Sequence, residues 1–237
     1  MHILSIDTST GIASVALVSD EKFIAESVFM ADRCLSARLM PEIERILNMA
    51  GLGVGDIDTF ACSIGPGSFT GVRAGVATTQ GLALATGKPC VGFSTLTALA
   101  MNFPMAAHLV CPLLDARKSE VYAALYNCSS DIPTALINES ALSPERFLDL
   151  VCESTDKPVI FAGDGALRYH DTIVARMGNQ AIFASFPYHQ VHAANGALLA
   201  SEAVRKCETC EPARLLPVYL RASEAEYAKM NRQPAKP

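Results

Sequence analysis

The chain opens with Ile3-Leu4-Ser5-Ile6-Asp7-Thr8-Ser9-Thr10-Gly11, and the interpretation of the whole sequence starts from this stretch. A short, mostly apolar run ends in a carboxylate, a hydroxyl-rich turn follows, and residues 12–18 resume as an apolar run. Short apolar runs bounded by polar turn residues are typical of buried β-strands. The opening therefore predicts two strands joined by a polar turn, with Asp7 at the end of the first.

The same pattern returns later in the chain. An apolar run over residues 109–114 ends at Asp115, a polar turn follows, and residues 121–126 are again mostly apolar. An ungapped alignment places Asp115 on Asp7 and Ala124-Leu125 on Ala16-Leu17, in one register. Because the elements predicted after each copy also follow the same order, we predict an α/β protein built from a duplicated βββαβα unit.

Two predicted helices of the first unit have unusual residues. The first ends at Gly51 and contains Pro41, which removes an interior hydrogen bond, so we expect this helix to begin near Met40 or to kink there. The second covers residues 70–86 and has a stripe of small residues at steps of three and four: Gly71, Ala74, Gly75, Thr78, Gly81 and Ala85. Since glycine destabilises a helix, we expect another element to approach this stripe closely.

Composition excludes several classes of protein. No apolar run reaches the length that spans a bilayer, and the N-terminus lacks the features of a signal peptide, so we expect a cytoplasmic protein without membrane contact. With a formal net charge of -5 and basic clusters of at most two residues, independent nucleic-acid binding is not expected. The scattered cysteines indicate a reducing compartment. A zinc site from Cys207, Cys210, His189 and His192 is conceivable, but chance spacing is the favoured explanation.

Two segments are candidates for binding an anion. Asp7, Thr8 and Ser9 could hold a phosphate and its Mg²⁺ shell, or Asp7 could simply satisfy turn amides. The segment Gly65-Pro66-Gly67-Ser68 precedes a helix, where Ser68 or Thr70 could cap the helix beside a bound anion, or its glycines could only permit a sharp turn. The turns at Asp115 and at Gly163-Asp164-Gly165 are interpreted as structural. No catalytic nucleophile with a base and no metal-ligand pair is evident, so we expect neither a catalytic residue nor a bound metal.

The run Gly65-Pro66-Gly67-Ser68-Phe69-Thr70-Gly71-Val72-Arg73, with Ile6-Asp7-Thr8-Ser9, closely resembles the TsaB (YeaZ) family of tRNA threonylcarbamoyladenosine biosynthesis proteins. Further matching segments are Gln80-Gly81-Leu82-Ala83, Val91-Gly92-Phe93-Ser94-Thr95-Leu96, Leu114-Asp115-Ala116-Arg117, Glu120-Val121-Tyr122 and Pro217-Val218-Tyr219-Leu220-Arg221. From about residue 130 to 210 only the order of elements matches. Family members often have a His-Ser pair where this chain has Cys34-Leu35-Ser36.

The resemblance implies an actin-like ATPase (ribonuclease H-like) fold in two lobes. We assign residues 1–107 to an N-terminal lobe, 108–221 to a C-terminal lobe and 222–237 to a flexible tail. The resemblance implies that the catalytic relative TsaD has a His-x-x-x-His metal site where this chain reads Ser94-Thr95-Leu96-Thr97-Ala98-Leu99-Ala100, without histidine, and that this chain is a non-catalytic partner. We therefore expect a scaffold that activates TsaD, in a complex with TsaE that modifies the tRNA adenosine beside the anticodon.

The resemblance also implies that N-terminal lobes pair through their helices. The residues expected at this interface are Leu39, Ile43, Gly71, Ala74, Gly75, Thr78 and Leu82. Without TsaD we expect a homodimer through the same face. We expect tRNA to be bound only through the complex and no cofactor of the chain's own, with ATP or ADP and Mg²⁺ at the complex interface left open. The alternatives are a small-metabolite kinase of the same fold and an autonomous homodimeric binding module.

Overall fold

The first half of the chain folds around a five-stranded mixed sheet. The computed structural model describes residues 1–20, 22–31 and 35–221. The strands are β1 (His2–Asp7), β2 (Ile12–Ser19), β3 (Lys22–Met30), β4 (Thr59–Gly65) and β5 (Cys90–Ser94), in the order β3-β2-β1-β4-β5. The helices are α1 (Leu35–Ala50), α2 (Phe69–Thr86) and α3 (Thr95–Ala100). Because β1 lies at the centre of this sheet, its end is enclosed by the other elements.

The second half repeats this topology. Its strands are β6 (Leu109–Arg117), β7 (Glu120–Asn127), β8 (Thr134–Leu142), β9 (Val159–Ala162) and β10 (Ala181–Phe183), in the order β10-β9-β6-β7-β8. Its helices are α4 (Pro144–Ser154), α5 (Asp164–Arg168), α6 (His170–Met177) and α7 (Ala193–Arg205). Each sheet has three antiparallel strands followed by two parallel ones, so the predicted duplication is confirmed.

The register predicted for the second copy is wrong by one residue. In the first sheet Ser5 pairs with Ala16, and the ungapped alignment would pair Leu113 with Ala124. The structure instead pairs Leu113 with Ala123. The β6–β7 turn is shorter than the turn over residues 8–11, and the ladder has an irregularity between Asp115 and Arg117. These differences in the turn move the facing strand by one position.

Of the two alternatives predicted for the first helix, the start near Met40 is wrong. Although Pro41 lies inside it, α1 starts at Leu35 rather than near Met40. The helix buries Leu39, Ile43, Ile46 and Leu47 against the first sheet. Pro41 and Ala37 are both exposed, so water can satisfy the carbonyl that the proline leaves without its helical partner. Cys34, part of the noted departure from the family, lies outside the described residues, as does the tail predicted to be flexible.

The last helix packs on the first sheet, although the predicted boundary assigns it to the second lobe. Ala197 and Ala200 of α7 share a buried cluster with Ile3, Val18 and Phe93. The expected division at residue 107 therefore does not describe α7, which completes the core of the first half. No helix among the described residues is both long and apolar enough to cross a bilayer.

Side chains of the first sheet also hold the N-terminus of α7. The hydroxyl of Ser14 accepts a hydrogen bond from Ala193 N at 2.8 Å, and Glu26 Oε1 accepts one from Ala194 N at 3.0 Å. The other oxygen of Glu26 lies 2.9 Å from His192 Nδ1, and this contact raises the pKa of His192. These bonds satisfy backbone donors that a helix start leaves without partners.

The C-terminal segment (residues 212–221) runs back across both halves. Gln80 Nε2 donates to the carbonyls of Pro212 and Leu215, and Val218 N donates to Ile64 O at 2.8 Å. Further along, Arg221 donates to Glu120 Oε2 at 2.9 Å. The C-terminal segment therefore packs on both halves of the protein.

Candidate functional site

The carboxyl end of β1 is buried inside the protein. Asp7, Thr8 and Ser9 are each at most 1% exposed. Ser9 Oγ donates to Asp7 Oδ1 at 2.7 Å, whereas Asp7 Oδ2 has no hydrogen-bond partner among the described residues. Burial raises the pKa of Asp7 to about 6, although the hydroxyls of Ser63 and Ser9 lower it. The carboxyl therefore has a polar but largely desolvated environment.

Glycines let the turn after β1 lie directly on α2. A Cβ atom added at Gly67 would lie 2.3 Å from Ser9 O, and one added at Gly71 would lie 2.0 Å from Thr8 O. At Gly75 it would lie 2.4 Å from Thr8 Oγ1. Thr8 Oγ1 donates to Gly71 O at 2.7 Å, and Ser68 N donates to Ser9 O at 2.7 Å. The close approach predicted for the small-residue stripe thus comes, at Gly71 and Gly75, from the chain's own turn.

The loop before α2 is covered by the C-terminal segment. Gly65 has a φ of +112°, and a Cβ atom there would lie 2.7 Å from Val218 O. Ser68 is the N-cap of α2, and its hydroxyl accepts a hydrogen bond from Gly71 N at 3.3 Å. Of the two predicted caps, Ser68 is therefore the one used. Its backbone N–H, which could have faced an anion, donates instead to Ser9.

The six predicted anion-binding residues are brought together, but their polar groups serve one another. Asp7, Thr8 and Ser9 are enclosed, and Gly65 and Gly67 are contacted by backbone from other segments. The geometry matches the interpretation of Asp7 as a carboxylate that holds its own turn.

Most residues predicted at the partner interface are turned into the protein. Leu39 and Ile43 belong to the first hydrophobic core, and Gly71 and Gly75 lie against Thr8. The predicted interface is therefore corrected at these four positions, because helical spacing alone does not show which face of a helix packs against the sheet. The other three, Ala74, Thr78 and Leu82, are partly exposed. Gly81 and Ala85 of the predicted small-residue stripe are exposed, and the other exposed positions of α2 are Phe69, Thr70, Arg73, Ala77 and Leu84.

The turn between β6 and β7 is built from charged residues. The side chain of Asp115 is only 6% exposed, and its Oδ2 lies 3.1 Å from Arg117 Nη1 and 2.9 Å from Arg168 Nη1. Arg168 lies far from Asp115 in sequence, so no sequence signal pointed to this cluster. Gly163 and Gly165 pack against the backbone of Leu113, as expected for a structural turn.

The conceivable zinc ligands have other partners. His189 Nδ1 accepts from Gly163 N at 3.1 Å, and His192 contacts Glu26. Cys207 is exposed, while the backbone of Cys210 pairs with that of Cys90. Within residues 1–20, 22–31 and 35–221 no group of three His, Cys, Asp or Glu side chains is placed to hold a metal ion.

Comparison with known proteins identifies close relatives. A family model described as TsaD, tRNA N6-adenosine threonylcarbamoyltransferase, matches residues 29–229. The Bacillus subtilis tRNA threonylcarbamoyladenosine biosynthesis protein TsaB is 30% identical over 226 residues, which cover 95% of this chain and 96% of that protein. The Escherichia coli TsaB is 41% identical over 128 residues, covering 53% and 55% of the two chains.

Solved structures support the predicted fold class. YeaZ from Pseudomonas aeruginosa has a TM-score of 0.80 at 31% identity, covering 92% of this chain and 99% of that one. A ROK hexokinase from Thermus thermophilus has a TM-score of 0.50 at 13% identity, covering 84% of this chain and 100% of that one. At this identity the similarity concerns the fold alone. The predicted actin-like α/β fold is confirmed.

We expect Asp7→Asn to stabilise the protein more at high pH than at low pH. Because the pKa of Asp7 is raised from 3.8 to about 6, the wild type loses stability as pH rises through this range. The variant should gain about 2 kcal/mol relative to wild type between pH 4 and pH 8. Urea unfolding at pH 4, 6 and 8 measures this, with the exposed Asp171→Asn as control. A difference independent of pH would contradict the assignment.

Two glycines of α2 should respond oppositely to alanine. Gly71→Ala should destabilise the protein by about 2 to 3 kcal/mol, because its Cβ would overlap Thr8 O. The Cβ of Gly81→Ala meets no atom of the other described segments within 4 Å, so this variant should stabilise the helix by about 0.5 to 1 kcal/mol. Thermal and urea unfolding of both variants test this, and equal stabilities would show that the turn does not press on Gly71.

Proposed function

This chain belongs to the TsaB (YeaZ) proteins of the TsaD family, and on that premise we propose that it is a non-catalytic subunit in the formation of threonylcarbamoyladenosine on tRNA. The observation that carries the proposal is the similarity to a TsaB protein over 95% of the chain. In this proposal the chain binds and activates a TsaD-type partner, which performs the transfer. TsaE joins this assembly, which acts in the cytoplasm. The complete assembly binds tRNA, and it also binds any ATP or ADP with Mg²⁺; this chain alone does not.

The enclosure of Asp7 supports a non-catalytic role. A carboxylate that holds a nucleotide-bound metal or moves a proton must reach the reacting atoms. Asp7 is completely buried and hydrogen-bonded to its own turn, an arrangement that disfavours the kinase alternative.

The segment after β5 also has a structural explanation. Ser94 and Thr97 lie in the stretch where the resemblance places the metal ligands of the catalytic relative. Here Ser94 Oγ donates to Glu139 Oε1, while Thr97 Oγ1 lies 3.0 Å from the hydroxyl of Tyr126. Tyr126 in turn donates to Glu139 at 3.0 Å. These hydroxyls connect α3 to the second sheet, which is a structural role and not a catalytic one.

The exposed faces of α1 and α2 are the proposed surface for the partner. On α2, Ala77, Gly81 and Leu84 lie outward, with Leu84 67% exposed. On α1, Met40 and Met49 are exposed apolar side chains. Small residues on α2 allow a second helix to approach closely, while the methionines provide adaptable apolar area. Without the TsaD-type partner, a second copy of this chain would cover the same surface.

We expect Leu84→Arg to weaken the complex at least tenfold, because a charge would be buried at the centre of the proposed surface. Size-exclusion chromatography with light scattering would be run on this chain, on the TsaD protein of the same organism and on their mixture. Threonylcarbamoyladenosine formed on tRNA would be measured in parallel after addition of TsaE. The matched control is Leu136→Arg, which changes an exposed leucine on β8.

Four outcomes separate the candidate functions. A mixed peak that Leu84→Arg abolishes and Leu136→Arg preserves supports the proposal. A mixed peak insensitive to Leu84→Arg refutes the assigned surface but not the role. Failure of the wild type to associate, with ATP turnover by the isolated chain, would favour the kinase instead, and a homodimer that ignores TsaD would favour the binding module.

A further inference from the structure

Two cysteines face each other at the edge of the first sheet. Cys90 begins β5, an edge strand of this sheet, and Cys210 lies opposite it in an isolated antiparallel bridge. Cys90 N donates to Cys210 O at 2.8 Å, and Cys210 N donates to Cys90 O at 2.8 Å. Residues that exchange both backbone hydrogen bonds have Cα atoms about 5.5 Å apart and side chains on one face of the sheet. This separation is the usual one for a disulfide.

The two side chains share one environment. Both pack in the first hydrophobic core, where Cys90 is completely buried and Cys210 is partly exposed. Both are free thiols in this structure. A disulfide requires their Cβ atoms to approach by about 1 Å relative to an ordinary facing pair. Because Cys210 lies in an isolated bridge outside the strands, it can make this small movement without disturbing a ladder of the sheet.

The two other described cysteines near this pair are less well placed. Cys62 is on β4, where Phe60 faces Cys90, so Cys62 lies two positions beyond the facing residue. Diagonal neighbours of this kind are about 7 to 8 Å apart, which exceeds the span of a disulfide. Cys207 is exposed and lies three residues before the bridge. The geometry therefore assigns Cys90 to Cys210.

The bridge lies two residues before the C-terminal segment, which supports both the first sheet and α2. Leu215 of this segment is buried in the first hydrophobic core. Gln80 of α2 donates to the carbonyls of Pro212 and Leu215. Cys210 is therefore the point at which the chain first meets the edge of the first sheet before the segment crosses it. A covalent bond at this point would restrict how far the segment can detach.

We propose that Cys90 and Cys210 are a redox-sensitive pair whose disulfide locks the C-terminal segment onto the first sheet. The oxidant is a low-molecular-weight disulfide, such as glutathione disulfide. The Cys210 thiolate attacks one sulfur of the oxidant and releases one glutathione thiolate, and the Cys90 thiolate then attacks Cys210 Sγ and releases the second. Two protein thiols lose two electrons and two protons, which the oxidant takes up as two molecules of glutathione. This inference goes beyond the proposed function and does not depend on it.

Burial makes the pair slow to react. Desolvation raises the pKa of Cys90 to about 12 and also raises the pKa of Cys210. Because only the thiolate attacks a disulfide, both groups remain thiols under reducing conditions. Disulfides that form in a reducing compartment are usually transient and redox-sensing. The pair therefore responds to a sustained oxidising shift, and returning thiols open the lock again.

The test is disulfide mapping of the full-length protein after oxidation. The reduced protein would be incubated with glutathione disulfide at pH 7 and pH 8, alkylated and digested, and cross-linked peptides would be identified by mass spectrometry. We expect a cross-link between Cys90 and Cys210. It should form about tenfold faster at pH 8 than at pH 7, because the thiolate fraction of a thiol with a raised pKa rises about tenfold per pH unit in this range.

Two further measurements show whether the disulfide locks the segment. Trypsin cleavage after the exposed Arg214, inside the segment, requires local opening, and the disulfide should slow it about tenfold. The melting temperature should rise by about 5 °C on oxidation. Cys210→Ser should abolish both effects, and this variant should fold because Cys210 is partly exposed. The matched control, Cys207→Ser, changes an exposed cysteine outside the bridge and should preserve both effects.

The outcomes separate a lock from other thiol chemistry. A cross-link between Cys90 and Cys210, with slower cleavage after Arg214, supports the inference. A disulfide between Cys207 and Cys210, or glutathione on Cys207 without the expected cross-link, overturns it. A cross-link that changes neither the cleavage rate nor the melting temperature refutes the lock. Because these measurements need neither TsaD nor tRNA, their failure is distinguishable from failure of the proposed function.

Discussion

The contact between the turn after β1 and the start of α2 is the constraint on which the first half of the protein depends. Thr8 and Ser9 supply backbone carbonyls that lie against Gly71 and Gly67, and hydrogen bonds to Gly71 O and from Ser68 N fix the two segments. Since β1 is central in its sheet, this contact sets the position of α2 relative to every strand. The exposed face of α2, proposed as a partner surface, is therefore oriented by a single buried turn.

The two copies of the unit use the same position in opposite ways. In the first copy the strand-end carboxylate, Asp7, is closed in by glycines and hydroxyls. In the second copy Asp115 holds exposed arginines instead. A duplicated fold can diverge in this manner because the sheet maintains the strand ends while each turn changes its side chains independently. The turn after Asp7 packs against α2, whereas the turn after Asp115 presents charged side chains at the surface.

Much of the fold followed from the sequence, because duplication and apolar runs are local signals. Residues 3–7 and 109–114 were interpretable without tertiary information, and so was the order of elements after them. The site was less accessible, since helical spacing could not show that Gly71 and Gly75 face Thr8 rather than a partner. Nor could it join Arg168 to Asp115, which depends on how α5 packs against β6. The register predicted for the second hairpin was wrong because an ungapped alignment cannot show that its turn is shorter.

The placement of α7 affects the order in which the chain folds. During synthesis the first five strands leave the ribosome well before residues 193–205, which cover one face of their sheet. Until α7 arrives, Ile3, Val18 and Phe93 lack part of their apolar cover, so the N-terminal half cannot complete its core as it emerges. One face of the first sheet therefore stays partly uncovered from the completion of β5 until α7 has been synthesised. The core of the first half is consequently completed only after most of the second half has been synthesised.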